Sequence, residues 1–232
     1  MSQSVLVLAP PGSGKSTSIR NLNPKETFII NCIGKSLPWK GWKKQYTLFS
    51  RDNPTGNMFC STVSEEIIKV LNYINTSRPE IKNIVLDDVQ YIMSFEFMTR
   101  AKEKGFDKFT EIGQKFFNVI RLAQALREDV NVIFLSHSEE LMNNGYSTTK
   151  MKTIGKVLDD KITPEGLFTV VLMATARKIN KSIEYKFVTQ NDGSSVAKSP
   201  MGMFDDLEID NDLATVIKAI RDYEDDDATQ VA

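Results

Sequence analysis

Along the first 140 residues, short apolar runs alternate with stretches whose hydrophobic residues recur every three or four positions. SVLVLA (4–9), ETFIINC (26–32), KNIVLDDV (82–89) and DVNVIFLSHS (129–138) read as buried strands. Residues 15–22 read as a helix that follows the first strand after a small-residue loop. In STVSEEIIKVLNYINTS, Val63, Ile67, Val70, Leu71 and Ile74 share one helical face, and Ser61 or Ser64 is placed to cap its start. Phe116, Ile120, Ala123 and Leu126 mark a second buried stripe. The segment 33–57, rich in Gly, Pro and Trp, reads as an irregular excursion with a short strand at 46–49.

Strands that alternate with helices imply βαβ crossovers and a parallel sheet. Further on, LFTVVLMATA and SIEYKFVTQ are joined by the turn RKINK, which predicts an antiparallel hairpin. DNDLATVIKAIRDY predicts a last amphipathic helix capped by Asp210 or Asn211. The fold class expected is α/β, a mostly parallel sheet flanked by helices with a hairpin near the C-terminus. One domain over 1–222 and an acidic flexible tail over 223–232 account for the whole chain.

Composition adds limits. At 232 residues, 41% hydrophobic and 25% charged, the chain suits one globular core, and a net charge of −1 offers no overall attraction to nucleic acid. Any DNA contact must come from local patches. Cys32 and Cys60 form no metal or disulfide pattern, which fits a reducing cytoplasm. No leader pattern precedes the first strand, and GLFTVVLMATA is too short to span a bilayer, so no membrane association is expected.

The chemistry is carried by APPGSGKS (9–16), which follows the phosphate-loop pattern G-x-x-x-x-G-K-[ST] with Ala9 in the first glycine's place. Pro11, Gly12, Ser13, Gly14, Lys15, Ser16 and Thr17 are the expected nucleotide contacts. Gly12 and Gly14 let backbone N–H groups turn inward, Lys15 reaches the β- and γ-phosphates, and Ser16 places its hydroxyl on Mg2+. At the end of NIVLDD, Asp87 is the expected metal-side acid. Asp88 is either the residue that orients or deprotonates the attacking water, or a plain helix cap. The single histidine, His137, ends a strand at the edge where ligands bind in open α/β sheets, as a γ-phosphate sensor or as a structural residue.

Together APPGSGKST, IVLDDVQYIM, RAKEKGFDKFTEIGQ, VIFLSHSEE, KTIGKVLDDKITPEGLFTVVL and AKSPMGMFDD resemble bacteriophage-encoded P-loop ATPases of the RecA-like type, in the group associated with phage recombination and single-strand annealing. The resemblance implies an ATPase that uses ATP and Mg2+ through Lys15, Ser16, Asp87, Asp88 and His137. It also implies a host-cell cytoplasmic setting with replication or recombination proteins as partners. RecA-like enzymes commonly keep an acid after the second strand, but here that strand ends FIINCIGK, where Asn31 and Cys32 cannot act as a base. Such assemblies complete the site with a cation from a neighbouring subunit, and ATARKINKS offers Arg177, Lys178 and Lys181, which points to a homo-oligomer.

Three functions compete. The first is an ATP-dependent recombination or annealing factor that binds single-stranded DNA through 138–156 and 100–109, whose lysines and Tyr146 suit a backbone-tracking groove with an aromatic platform. The others are a small-molecule kinase, although no lid-like arginine pair is present, and an accessory ATP switch such as a helicase loader or packaging ATPase.

Overall fold

Every residue of QSVLVLA from Val5 onward is buried, because this strand lies inside a sheet covered on both faces. The computed structural model describes residues 2–143, 146–155, 158, 161–191, 193 and 195–230, leaving aside the side chains of 143–148 and 226–230. In it β1 (Gln3–Ala9), β2 (Thr27–Asn31), β3 (Met58–Phe59), β4 (Asn83–Asp87), β5 (Asn131–Asn143), β7 (Val170–Ile179), β8 (Ser182–Val188) and β9 (Glu208–Asp210) run side by side in the order β3-β2-β4-β5-β1-β7-β8-β9. β6 (Tyr146–Met151) pairs with the outer part of β5. The first six strands of that order pair in parallel, and β8 and β9 add antiparallel pairs.

Period-two alternation divides the core. Leu6, Leu8, Phe28, Ile30, Ile84, Leu86, Val132 and Phe134 face α2 (Ser64–Ser77), α3 (Gln90–Thr99) and α4 (Asp107–Gln124). Val5, Val7, Ile29, Val85, Ile133 and Leu135 face the other way, toward Ile19, Leu22 and α5 (Leu213–Gln230). Trp39 and α1 (Trp42–Gln45) pack on that second face, so the irregular excursion is a cover over the sheet. Buried Arg78 holds it by donating to the Gly56 and Pro54 carbonyls at 3.0 and 3.1 Å.

Several local expectations are corrected. The run 15–22 forms a six-residue 3-10 helix, Ser16–Asn21. Instead of a strand at 46–49 there is one bridge, Leu48 to Met58. Val63 is 45% exposed, because it stands at the N-cap of α2 outside the buried stripe. Neither serine caps that helix by side chain; Ser61 accepts from the Val63 N–H at 3.0 Å, and the Ser64 hydroxyl is buried. Asp212, one residue after the expected pair, accepts from the Ala214 N–H at the start of α5. The hairpin turn narrows to Asn180 and Lys181, with Asn180 at φ 55°. Of the acidic segment expected as a tail, the backbone through Gln230 continues α5, and 231 and 232 lie outside the described residues. Cys32 and Cys60 are free thiols, and among the described residues no helix is long and apolar enough to cross a membrane.

Candidate nucleotide site

Sheet register brings the candidate residues together. Ala9 pairs with His137, and Asn31 with Asp87, so the ends of four parallel strands form one carboxyl edge. Past β1 the chain turns through Gly12 (φ 80°) and Gly14 (φ 84°), a left-handed backbone that other residues adopt at a cost. Gly14 also lies against another strand: a Cβ there would stand 2.9 Å from the Tyr185 ring and 3.2 Å from the Asn211 amide oxygen. The loop encloses an open cavity of about 370 Å³, lined by Pro11, Gly12, Gly14, Lys15, Ser16, Thr17, Asp87, Asp88 and His137. Ser13 is buried away from it.

Lys15 bends back over the loop and donates to the Ala9 and Pro10 carbonyls at 2.9 and 3.2 Å. Burial lowers its pKa to about 8, partly offset by the charges of Asp88 and Asp87. The Ser16 hydroxyl donates to Asp87 Oδ1 at 2.8 Å. Burial, and then the Asp88 charge, push the Asp87 carboxyl up to about 6. A hydroxyl and a carboxylate in contact at the end of a phosphate loop are the hard oxygen donors that suit Mg2+, so the residues fit the group.

Asp88 sits at φ 62°, a left-handed conformation that turns its carboxylate into the cavity. α3 begins without a side-chain cap, so capping is not its contact. Asp88 Oδ2 accepts from Lys35 Nζ at 2.7 Å, and Oδ1 lies 3.4 Å from His137 Nε2. His137 Nδ1 lies 3.5 Å from Lys15 Nζ. An ammonium only donates, which assigns the ring proton to Nε2, facing Asp88. Burial, then the Lys15 charge, lower the histidine's pKa, so the ring is neutral near pH 7.

Sequence reasoning missed Lys35, Gln90 and Tyr185. Lys35 and Tyr185 line the cavity from the excursion and the hairpin. Gln90 is buried, and its Oε1 accepts from the His137 N–H at 3.1 Å and the Ser136 hydroxyl at 3.3 Å. Lys35 and Tyr185 reach the site from distant parts of the chain, where no local pattern marks them, whereas Gln90 stands two residues after Asp88 and only its contact with β5 shows its place.

The expected cation donors lie elsewhere. Lys178 is on the exposed outer part of β7, outside the cavity lining, and its strand partner is Ile183. By strand alternation Lys178 shares a face with Ala176, opposite Tyr185, so it projects beyond the cavity wall on the same side. Arg177 faces the other way and forms a two-pronged ion pair with Glu208. In the expected DNA surfaces, Arg100 is paired with Glu96, Glu103 and Glu111, while buried Lys108 donates to the Arg100 and Glu103 carbonyls. Within the expected 138–156 loop, residues 138–143 and 146–151 pair as the β5–β6 ribbon, and Lys150 pairs with Glu139. The Tyr146 side chain lies outside the described ones, as do 144, 145 and 156.

A phosphate loop, a strand-end carboxylate in contact with its serine, and a strand inserted between the two strands that carry them define a P-loop ATPase domain with a mostly parallel sheet. The AAA domain family matches residues 1–201, and the chain belongs to it. Among solved structures it is similar to the KaiC-like protein PH0186 from Pyrococcus horikoshii OT3, at 12% identity and a TM-score of 0.47, over 80% of this chain and 77% of that one. No curated protein matches it.

Proposed function

We propose that this chain hydrolyses ATP with Mg2+ to drive a step of phage DNA recombination, annealing or replication, as a homo-oligomer on single-stranded DNA. The observation that carries the ATPase part is the cavity in which Lys15, the Ser16–Asp87 pair and Asp88 converge. Ser16 and Asp87 would hold Mg2+, which when bound neutralises phosphate charge and orients the β- and γ-oxygens. Lys15 leaves its carbonyls for the β- and γ-phosphates, and the incoming negative charge restores full protonation to an ammonium that burial had weakened. Asp88 accepts the proton of the attacking water as the γ-phosphorus to bridging-oxygen bond breaks and its electron pair leaves with ADP. His137 Nε2–H faces the same point and can donate to a γ-phosphate oxygen.

Lys178, exposed beyond the cavity wall, is the cation we assign to a neighbour's site, so turnover depends on assembly. For DNA, the support is the position of the β5–β6 ribbon, which is continuous with the strand bearing His137; the Lys152 N–H donates to the His137 carbonyl at 2.9 Å. Partners in phage or host replication and recombination follow from the same reading. ATP turnover with and without single-stranded DNA tests it: stimulation supports it, and turnover that ignores DNA favours an accessory ATP switch. Lys15→Ala should abolish turnover in a folded protein, and wild-type rates in that variant would remove the ATPase reading.

A further inference from the structure

Lys35 stands four residues beyond the end of β2, where FIINCIGK carries no acid. Its backbone is fixed by the fold: Asn31, buried at the end of β2, donates its side-chain amide to the Lys35 carbonyl at 2.6 Å. Gly34 turns the chain at φ 66°, with its N–H on the Asn31 carbonyl at 3.3 Å. The side chain is freer. It is 58% exposed, lines the cavity, and its ammonium touches Asp88 at 2.7 Å with the Tyr91 ring 5.8 Å away.

We propose that Lys35 is a second phosphate-binding cation, supplied by the same subunit, which exchanges its ion pair with Asp88 for the γ-phosphate when ATP enters. The inference rests on the ATPase reading above and names a residue of that same site. Without nucleotide, the cavity holds two ammonium groups, Lys15 and Lys35, and two carboxylates, Asp87 and Asp88. Lys35 Nζ occupies Asp88 Oδ2, so that oxygen is closed to a water while the site is empty. A γ-phosphate is a more highly charged acceptor than one carboxylate, and Lys35 has a flexible four-carbon stem with which to reach it. Its departure frees Asp88 Oδ2 for water at the moment the γ-phosphate is in place. ADP lacks the γ-phosphate, so it leaves the Lys35–Asp88 pair intact. Lys35 therefore discriminates ATP from ADP and ties water activation to the presence of substrate.

The test compares wild type with Lys35→Ala and Lys35→Arg, using equilibrium binding of fluorescent ATP and ADP and single-turnover hydrolysis over a range of protein concentrations. Lys35→Ala should keep ADP affinity within about twofold, lose about tenfold in ATP affinity, and lose about 100-fold in single-turnover rate, the scale of one charged group removed from a transition state. Lys35→Arg should recover part of the rate. The loss should be the same at every protein concentration, since the cation acts within one subunit. An unchanged ATP-to-ADP preference and rate in Lys35→Ala would overturn the proposal. Faster hydrolysis in Lys35→Ala would overturn it too, because Lys35 would then only mask Asp88. If wild type bound neither nucleotide, the ATPase reading itself would fall and take this proposal with it. Thermal unfolding of each variant separates these outcomes from loss of fold.

Discussion

Asp87 and Asp88 are adjacent carboxylates with different partners, and their environments separate their tasks. Asp87 is buried against the Ser16 hydroxyl, whereas Asp88 reaches Lys35 and His137 across the cavity. Asp88→Asn should therefore bind ATP with Mg2+ near the wild-type affinity while hydrolysis falls by about 100-fold or more, the range for removing a positioned base. Parental rates in a quench-flow assay would place the base elsewhere. Asp87→Asn should weaken the magnesium-dependent part of binding and, without metal, stabilise the fold. The sign follows from the carboxyl's pKa, raised in the folded state from 3.8 to about 6. The folded protein holds the proton more tightly, so stability falls as pH rises from about 4 to 6 and stays lower above that. In EDTA at pH 7.5, Asp87→Asn should unfold at higher temperature than wild type by an amount equivalent to about 1–3 kcal/mol. Below pH 4 the difference should vanish.

Elements follow the hydrophobic periods except where tertiary contacts outweigh them. α2 and α4 bury the expected residues Ile67, Val70, Leu71, Ile74, Phe116, Ile120 and Ala123, since each stripe meets the same sheet face. Phe116 is fully buried, and Phe116→Ala should cost about 3–5 kcal/mol in denaturant unfolding, from lost burial plus the cavity left behind. The segment after the phosphate loop carries too little apolar surface for a long helix: Ser18 and Ile19 are its buried residues, and it closes as a short 3-10 helix under α5. The β7–β8 hairpin loses its burial halfway along, from Thr175 outward, which leaves Lys178 in solvent. Lys178→Ala should retain ATP binding by each subunit and lose turnover, read by comparing equilibrium nucleotide binding with steady-state phosphate release. A wild-type rate would remove the trans-acting cation from the mechanism.

At the scale of the whole molecule, nucleotide, oligomer and DNA share one edge of the sheet in the proposed function, so each should strengthen the binding of the others. ATP with Mg2+ should raise the mass seen by light scattering and tighten single-stranded DNA binding in fluorescence anisotropy by about tenfold. Salt should weaken the DNA step steeply, because neutralised phosphates release counterions. A particle of one subunit whose DNA affinity ignores ATP would remove this coupling.

The sequence by itself determined strands β1, β2, β4, β5, β7 and β8, the two main helical stripes, and the phosphate loop with its two carboxylates, while the short β3, β6 and β9 came only with the fold. These signals are local: a period of two or of three to four, a glycine that permits a positive φ, a carboxylate at the end of an apolar run. Tertiary structure alone decided which distant side chains meet them. Lys35 entered the site because β2 lies beside β4 and Asn31 pins the turn that follows, and Tyr185 because β8 folds back against Gly14. Folding also withdrew Arg100 and Lys108 into contacts with their own neighbourhood, and Arg177 into an ion pair with Glu208 on another strand, away from the surfaces their charges had suggested. A charge in sequence has no partner until the chain is folded, and an ion pair across the fold is what decides whether that charge remains free to bind a ligand.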